Sequence, residues 1–167
     1  MVAQLDTKTV YTFMDSLISI KKYVKTAKAL GYQTLGMMDI DNLYGAYHFM
    51  EIATAQKIQP ILGIEMTLDY AGVPLNLRFL ALDSQGYRNL MKLSTLKMIG
   101  KSKWEELQHL LAGIAIIVPV FDGIRDLDLG KDFYIGVFPD TPQQDFMHKT
   151  LPLHTVRYFD TGDLETL

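Results

Sequence analysis

The sequence contains no cysteine among its 167 residues. Disulfides, thiol catalysis and thiolate zinc sites are therefore excluded, and a reducing compartment is expected. The chain also lacks an apolar run of the ~20 residues that a membrane helix requires. Residues 1–10 lack the basic and apolar regions of a signal peptide. These absences predict a cytoplasmic protein that does not contact a membrane.

An excess of positive charge is also missing, since 16 Lys and Arg stand against 19 Asp and Glu, giving a formal net charge of −3. A free-standing nucleic-acid binder normally has a basic surface, so DNA binding by this chain unaided is disfavoured. Lys21, Lys22, Lys25 and Lys28 lie on one side of a predicted helix. They could contact phosphates, but a solvated helix face explains them equally well.

The common motifs of catalytic and metal sites are absent. There is no G-x-S-x-G, Walker A or G-x-G-x-x-G stretch, so neither a hydrolase elbow nor a nucleotide-binding loop is predicted. The four histidines are His48, His109, His148 and His154, and no pair has H-x-H or H-x-x-x-H spacing. The spacing therefore predicts no metal site based on paired histidines.

Short apolar runs alternate with helical periodicity, which is typical of an α/β protein around a parallel sheet. The predicted strands are residues 2–6, 34–38, 59–62, 65–70, 73–82, 114–118, 133–138 and 154–158. The predicted helices are residues 20–30, 43–56, 84–99, 104–111 and 141–149. Asp41 or Asn42 is the expected N-cap of the second helix, and residues 122–132 are expected to form a loop.

The last eight residues, 160–167, have the pattern of a helix cap and first turn without the rest of a helix. This pattern favours a fragment of a longer chain. The alternative is a natural terminus that frays.

Acidic side chains follow several of the predicted strands. They are Asp6 close to Lys8, Asp39 with Asp41, and Glu65, while Asp15 lies in the turn before the first helix. Ligands of α/β folds bind at the carboxyl ends of strands, where carboxylates can hold a divalent cation that activates water. In the structural alternative, Asp41 caps a helix, Asp39 accepts hydrogen bonds from loop amides and Lys8 neutralises its neighbours. The spacing leaves both alternatives open.

Five segments identify a family when they are taken in order. They are residues 4–8 with Tyr11, Thr12 and Asp15, then 27–31, 39–46, 58–65 and 86–94. Together they resemble the PHP (polymerase and histidinol phosphatase) domain, in the form found at the N-terminus of bacterial replicative DNA polymerase III alpha subunits. Residues 154–158 take the place of the family's Asp-Val-His segment, so the resemblance spans nearly the whole chain.

The resemblance implies a distorted (β/α)₇-type PHP barrel formed as a single domain by residues 1–167, within a longer polymerase chain. The parent would be a DNA-directed DNA polymerase, a nucleotidyltransferase of DNA replication. Its partners would be the remaining polymerase domains, replisome subunits and primer-template DNA bound through the parent. Magnesium would belong to the parent's polymerase site, with no cofactor in this segment.

The chain departs from the family at its metal ligands. Active members have His-x-His, Asp-His and Asp-x-His, and the corresponding residues here are Asp6 and Lys8, Asp39 and Ile40, and Thr155 and Arg157. Protonated lysine, isoleucine and arginine offer no lone pair to a metal ion. Of the family's usual ligands, Asp15 and Glu65 remain, with Asp39 nearby. The resemblance therefore implies a degenerate site.

We expect Lys8 and Arg157 to replace the metal charge and to pair with Glu65, Asp15 or Asp39, which would leave a catalytically inactive scaffold. One alternative is a metal-dependent phosphoesterase or 3′–5′ proofreading exonuclease with a carboxylate site of Asp6, Asp15, Asp39 and Glu65. A second alternative is a stand-alone adaptor without an attached polymerase.

Overall fold

The computed structural model describes residues 3–120, 129, 132–141 and 149–159. Contacts divide the chain into two compact units, one of Met1–Ile64 with His154–Leu167 and one of Glu65–Leu153. The elements are β1 Ala3–Gln4, β2 Asp6–Thr7, α1 Ile20–Ala29, β3 Thr34–Ile40, α2 Ala46–Ala55, β4 Gln59–Tyr70, β5 Val73–Ala81, α3 Ser84–Met98, α4 Trp104–Leu107, β6 Ile114–Pro119, β7 Phe133–Val137, β8 Thr150–Pro152 and β9 Thr155–Val156, with a 3₁₀ turn at Gln108–Leu110.

The first unit contains two sets of paired strands. In the main sheet the order is β1-β3-β4, and β1 is parallel to β3. Separately, β2 pairs in parallel with β9, which joins the two ends of the described chain. The predicted strand 2–6 is therefore two short strands with Leu5 between them. A Cβ atom on Gly36 would lie 2.3 Å from the Leu5 carbonyl oxygen, so this close approach requires glycine.

Helix α1 follows its predicted pattern. Ser19 caps it by accepting from the Lys22 amide at 3.3 Å, and its core-facing side chains are Ile20, Tyr23, Val24 and Ala27. The predicted cap of α2 is wrong, because this helix begins at Ala46 after Gly45. Asn42 instead stabilises the preceding loop, since its side chain accepts from the Tyr44 amide and donates to the Tyr11 carbonyl.

In the second unit the strand order is β4-β5-β6-β7-β8. The predicted strands 59–62 and 65–70 form one strand, β4, and the turn Ala71-Gly72 has positive φ at both residues, as a two-residue hairpin requires. Strand β6 is antiparallel to β5, whereas β7 and β8 continue in parallel. The sheet is therefore mixed, with the parallel pairing expected of an α/β protein from β6 to β8 and antiparallel pairing of β5 with β6.

The α/β class is confirmed, with seven strands in the main sheet among the residues described and β4 contributing to both units. Strand β8 was not predicted, and the strand expected at residues 154–158 is limited to Thr155–Val156. Several predictions lie outside the described residues. They concern most of the loop 122–132, most of the helix 141–149 with His148, and the segment 160–167. Within the described ranges, no helix is long and apolar enough to span a membrane.

Candidate functional site

Lys8 is a fully buried cation that follows β2. Its amide donates to the Val156 carbonyl at 2.9 Å, which extends the pairing of β2 with β9. Its Nζ atom donates to Asp6 Oδ1 and to the Met38 carbonyl, both at 2.7 Å. The other oxygen of Asp6 accepts from Thr155 Oγ1 at 2.6 Å. Lys8 therefore neutralises its neighbour Asp6, as the structural alternative expected, and this partner is not one of Glu65, Asp15 and Asp39.

Asp39 is fully buried at the end of β3 and organises the loop that follows β2. Its Oδ1 atom accepts from the Thr9 amide at 2.6 Å and from Thr12 Oγ1 at 2.7 Å, and its Oδ2 atom accepts from Thr9 Oγ1 at 2.7 Å. The Ile40 amide in turn donates to Thr12 Oγ1 at 3.2 Å. The structural alternative, in which Asp39 binds loop amides, is confirmed. Ile40 takes part in this network only through its backbone.

Arg157 forms the ion pair that the sequence predicted for it. Its Nε atom lies 2.8 Å from Asp15 Oδ2, and the two side chains are 39% and 34% exposed. Ser16 Oγ lies 2.8 Å from the carbonyl oxygens of both Lys8 and Arg157. These contacts bind the segment after β9 to the loop after β2, although the residues are far apart in sequence.

Glu65 belongs to the second unit and has two partners there, the exposed Asn76 and the buried Arg78. Its Oε1 atom accepts from Asn76 Nδ2 at 2.8 Å, and its Oε2 atom lies 3.2 Å from an Arg78 guanidinium nitrogen. The Arg78 guanidinium also lies 5.1 Å from the centre of the Phe138 ring, a cation–π contact. Glu65 is thus part of a buried ion pair with an arginine that sequence reasoning did not single out.

Tyr23 places a phenol beneath β2. Its hydroxyl donates to the Gly36 carbonyl and accepts from Thr7 Oγ1, both at 2.9 Å, and its ring stacks on Phe49. Burial raises the pKa of Tyr23, while the Thr7 hydrogen bond opposes the shift. The hydroxyl therefore stays protonated and acts as a structural hydrogen-bond donor.

The family implies a metal ion, but the residues at these positions do not fit one. A hard divalent cation needs several oxygen ligands directed at one point. Here the two oxygens of Asp6 accept from Lys8 Nζ and Thr155 Oγ1, and both oxygens of Asp39 also accept protein hydrogen bonds. Across the part of the chain that the structure describes, no group of three or more His, Asp or Glu side chains could hold a metal ion.

The sequence analysis did not single out Arg78, which pairs with Glu65, or the two threonines Thr9 and Thr12, which bind Asp39. Tyr70 and Val73 flank the two-residue turn Ala71-Gly72. Glu65 lies five residues before Tyr70, and Arg78 lies five residues after Val73. Counting back from a two-residue turn therefore places Arg78 opposite Glu65. Sequence spacing does not indicate the roles of Thr9 and Thr12, because only the fold brings their hydroxyls to Asp39.

Sequence comparison decides the family. The PHP domain family model matches residues 4–131, which is well over half of the chain. The chain belongs to the PHP domain family. This PHP domain is 47% identical over 169 aligned residues to DNA polymerase III subunit alpha of Streptococcus pyogenes serotype M3 (strain ATCC BAA-595 / MGAS315). That alignment covers 100% of this chain and 16% of the relative.

More distant relatives carry the same name. The PHP domain is 35% identical over 104 residues to DNA polymerase III subunit alpha of Aquifex aeolicus, covering 53% of this chain and 9% of the relative. The corresponding protein of Treponema pallidum is 34% identical over 96 residues, covering 51% and 8%. The chain therefore spans only a small part of the relatives that it matches.

Proposed function

We propose that this PHP domain is the N-terminal module of a DNA polymerase III alpha subunit and serves there as a metal-free, catalytically inactive scaffold. The observation that carries the first half is the 47% identity over the full length of the chain. The parent would be a cytoplasmic DNA-directed DNA polymerase whose magnesium-dependent nucleotidyl transfer occurs in other domains. Replisome subunits and primer-template DNA would be partners of that parent.

The second half of the proposal rests on Lys8. In active family members a histidine ligand corresponds to this residue, and here a buried ammonium pairs with Asp6. Arg157 likewise replaces a ligand and pairs with Asp15. Two cations of the protein thereby supply positive charge to the carboxylates, without an exchangeable ion that could activate water.

Calorimetric titration with Mn²⁺ or Zn²⁺, followed by an assay of phosphodiester hydrolysis in the same metal, tests the scaffold. The expected result is no stoichiometric binding and no hydrolysis. Stoichiometric binding together with hydrolysis that Glu65→Ala abolishes would establish the phosphoesterase or exonuclease alternative instead. Lys101→Ala, at an exposed lysine, is the matched control because it should leave any true metal activity intact.

Primer extension tests the assignment to a polymerase. The full-length parent should extend a primed template with magnesium, and removal of the PHP domain should lower its soluble yield or processivity. Normal yield and processivity without the domain would contradict the scaffold role. Failure of the full-length protein to extend a primer would contradict the polymerase assignment itself.

A further inference from the structure

Helix α1 exposes four lysines to which the proposed function assigns no role. They are Lys21, Lys22, Lys25 and Lys28, and all four side chains are exposed. At about 100° per residue, they fall within an arc of about 120° on the side of α1 away from its buried residues. We call these four side chains the basic face.

The basic face has no carboxylate partner among the residues that the structure describes. Residues 16–38 contain no Asp or Glu, and the preceding Asp15 pairs with Arg157. In the neighbouring helix α2 the acidic residue is Glu51, whose carboxylate lies 3.9 Å from the His48 ring. The positive charge of the basic face is therefore left to solvent or to a ligand.

This arrangement of charge is unfavourable for the helix itself. Lys25 lies four residues after Lys21 and three before Lys28, and like charges at these spacings destabilise a helix. Lys21 and Lys22 lie in the first turn of α1, which has no acidic residue, and the helix dipole disfavours cations there. A polyanion that covers the basic face would relieve both effects, so these lysines indicate an anionic ligand.

The residue types favour a nucleic-acid backbone over an acidic protein surface. Protein interfaces are enriched in arginine, methionine and aromatic residues and depleted in lysine, whereas lysine binds phosphate as a flexible point charge. All four cations of the basic face are lysines. From Lys21 to Lys28 the helix rises about 10 Å, a length that covers about three phosphates of one DNA strand. The basic face therefore fits a phosphate backbone and has no means of reading base sequence.

We infer that the basic face binds the phosphate backbone of the primer-template duplex when the parent polymerase holds that duplex. This inference rests on the proposed function. With a net charge of −3, the domain alone should bind DNA weakly. In the parent, the other domains bring the duplex to the face at high effective concentration, so four lysines are sufficient for an additional contact. The contact raises affinity equally for every DNA sequence and makes that affinity more sensitive to salt.

Salt-dependent DNA binding by the full-length parent tests the inference. Fluorescence anisotropy measures the affinity for a labelled primer-template duplex between about 50 and about 200 mM salt. The test variant combines Lys21→Gln, Lys22→Gln, Lys25→Gln and Lys28→Gln. The slope of log affinity against log salt should become less steep by about 0.9 for each lysine that neutralises a phosphate, and so by about 2–4 in total. At the lowest salt the affinity should fall by at least about tenfold.

The matched control makes the same change of net charge elsewhere in the domain. It replaces four exposed lysines of the second unit with glutamine, namely Lys92, Lys101, Lys103 and Lys149. Its slope should remain that of the wild type. An equal decrease in both glutamine variants would overturn the inference, because the overall charge would then be responsible. An unchanged slope in the basic-face variant would overturn it as well.

Two further variants separate the loss of a contact from misfolding. Replacing all four lysines of the basic face with arginine keeps the charge and should keep the slope. Glutamine has nearly the helix propensity of lysine, so the Tm of the full-length protein should be retained. If the fourfold glutamine variant has a lower Tm, Lys25→Gln alone decides the matter. It should reduce the slope by about 0.9, and no reduction would overturn the inference.

Vesicles and primer extension distinguish the remaining outcomes. Sedimentation with phosphatidylglycerol vesicles measures binding to an anionic lipid surface, which lysine clusters also attract. Vesicle binding that the glutamine variant loses, together with an unchanged DNA slope, would overturn the inference in favour of a lipid surface. Primer extension with magnesium is measured on the same preparations. An active polymerase with an unchanged slope overturns only this inference, whereas an inactive wild-type parent overturns the proposed function.

Discussion

Lys8 Nζ lies 2.7 Å from Asp6 Oδ1, and both side chains are completely buried. Asp6 is also bound by Thr155, and the Lys8 backbone is bound by Val156, so this ion pair is tied to the contact between β2 and β9. The resemblance implies metal ligands at these two positions in active members of the family, and we propose that the ion pair replaces them here. The following predictions test how the residues of this pair and its surroundings contribute to stability.

Replacing Lys8 should destabilise the domain strongly. Lys8→Met leaves the Asp6 carboxylate buried without its cation, which should reduce the free energy of unfolding by about 3–5 kcal/mol. Urea denaturation measures the change, with Lys25→Met at an exposed position as the control. The double variant Lys8→Met with Asp6→Leu should recover part of the loss. A cost below about 1 kcal/mol for Lys8→Met would contradict the structural role of the pair.

The buried Thr12 hydroxyl should contribute more to stability than the hydroxyl of an exposed threonine that also forms a hydrogen bond. Thr12→Val removes the hydroxyl that donates to Asp39 and accepts from the Ile40 amide. The expected loss is about 1–3 kcal/mol of unfolding free energy, because buried polar partners remain without a bond. Thr95→Val removes an exposed bond to the Met91 carbonyl and should have a smaller effect. Thermal unfolding measures the decrease in Tm of each variant. Equal decreases for Thr12→Val and Thr95→Val would contradict the prediction.

Arg78 should contribute strongly to stability through its ion pair with Glu65. Arg78→Met leaves Glu65 buried with Asn76 as a hydrogen-bond donor. We expect a loss of about 3–5 kcal/mol in urea denaturation. Glu65→Gln with Arg78→Met should cost less than Arg78→Met alone, because no charge is then buried. If the double variant is the less stable of the two, the ion pair is not the source of the effect.

The buried Tyr23 should make the stability of the domain decrease at alkaline pH. Its pKa is raised in the folded domain by burial, so the unfolded chain loses this proton first as pH rises. The stabilising contribution is therefore complete below the usual pKa of about 10 and declines above it, by up to about 1.4 kcal/mol per pH unit.

Tyr23→Phe isolates this contribution. The variant should lose about 1 kcal/mol at neutral pH, because the hydrogen bonds with Thr7 and Gly36 disappear. Above pH ~10 its stability should fall less steeply than that of the wild type. Tyr44→Phe, at an exposed tyrosine, should retain the wild-type slope. Parallel slopes for the wild type and Tyr23→Phe would exclude Tyr23 as the source.

Parts of the site follow from local geometry. Asp6 and Lys8 are two residues apart in extended chain and share a face, which agrees with the expectation that Lys8 neutralises its neighbours. Glu65 and Arg78 are opposite each other across a two-residue turn, which also gives a countable register. The cap of α2 was not predictable in this way, because the Asn42 side chain forms hydrogen bonds with the backbone of Tyr11 and Tyr44 instead.

The sequence by itself determined the family, the α/β class and the bounds of α1 and α3 to within about two residues. These features depend on ordered motifs and on apolar spacing within single segments. Only the tertiary structure decided that β5 and β6 run antiparallel, that Thr155 contacts Asp6, and that Asp15 is the one of three candidate carboxylates that pairs with Arg157. The contacts of Thr155 with Asp6 and of Arg157 with Asp15 join residues 149 and 142 positions apart, and no local preference specifies them. They form because β2 and β9 pair, which depends on the packing of the whole first unit.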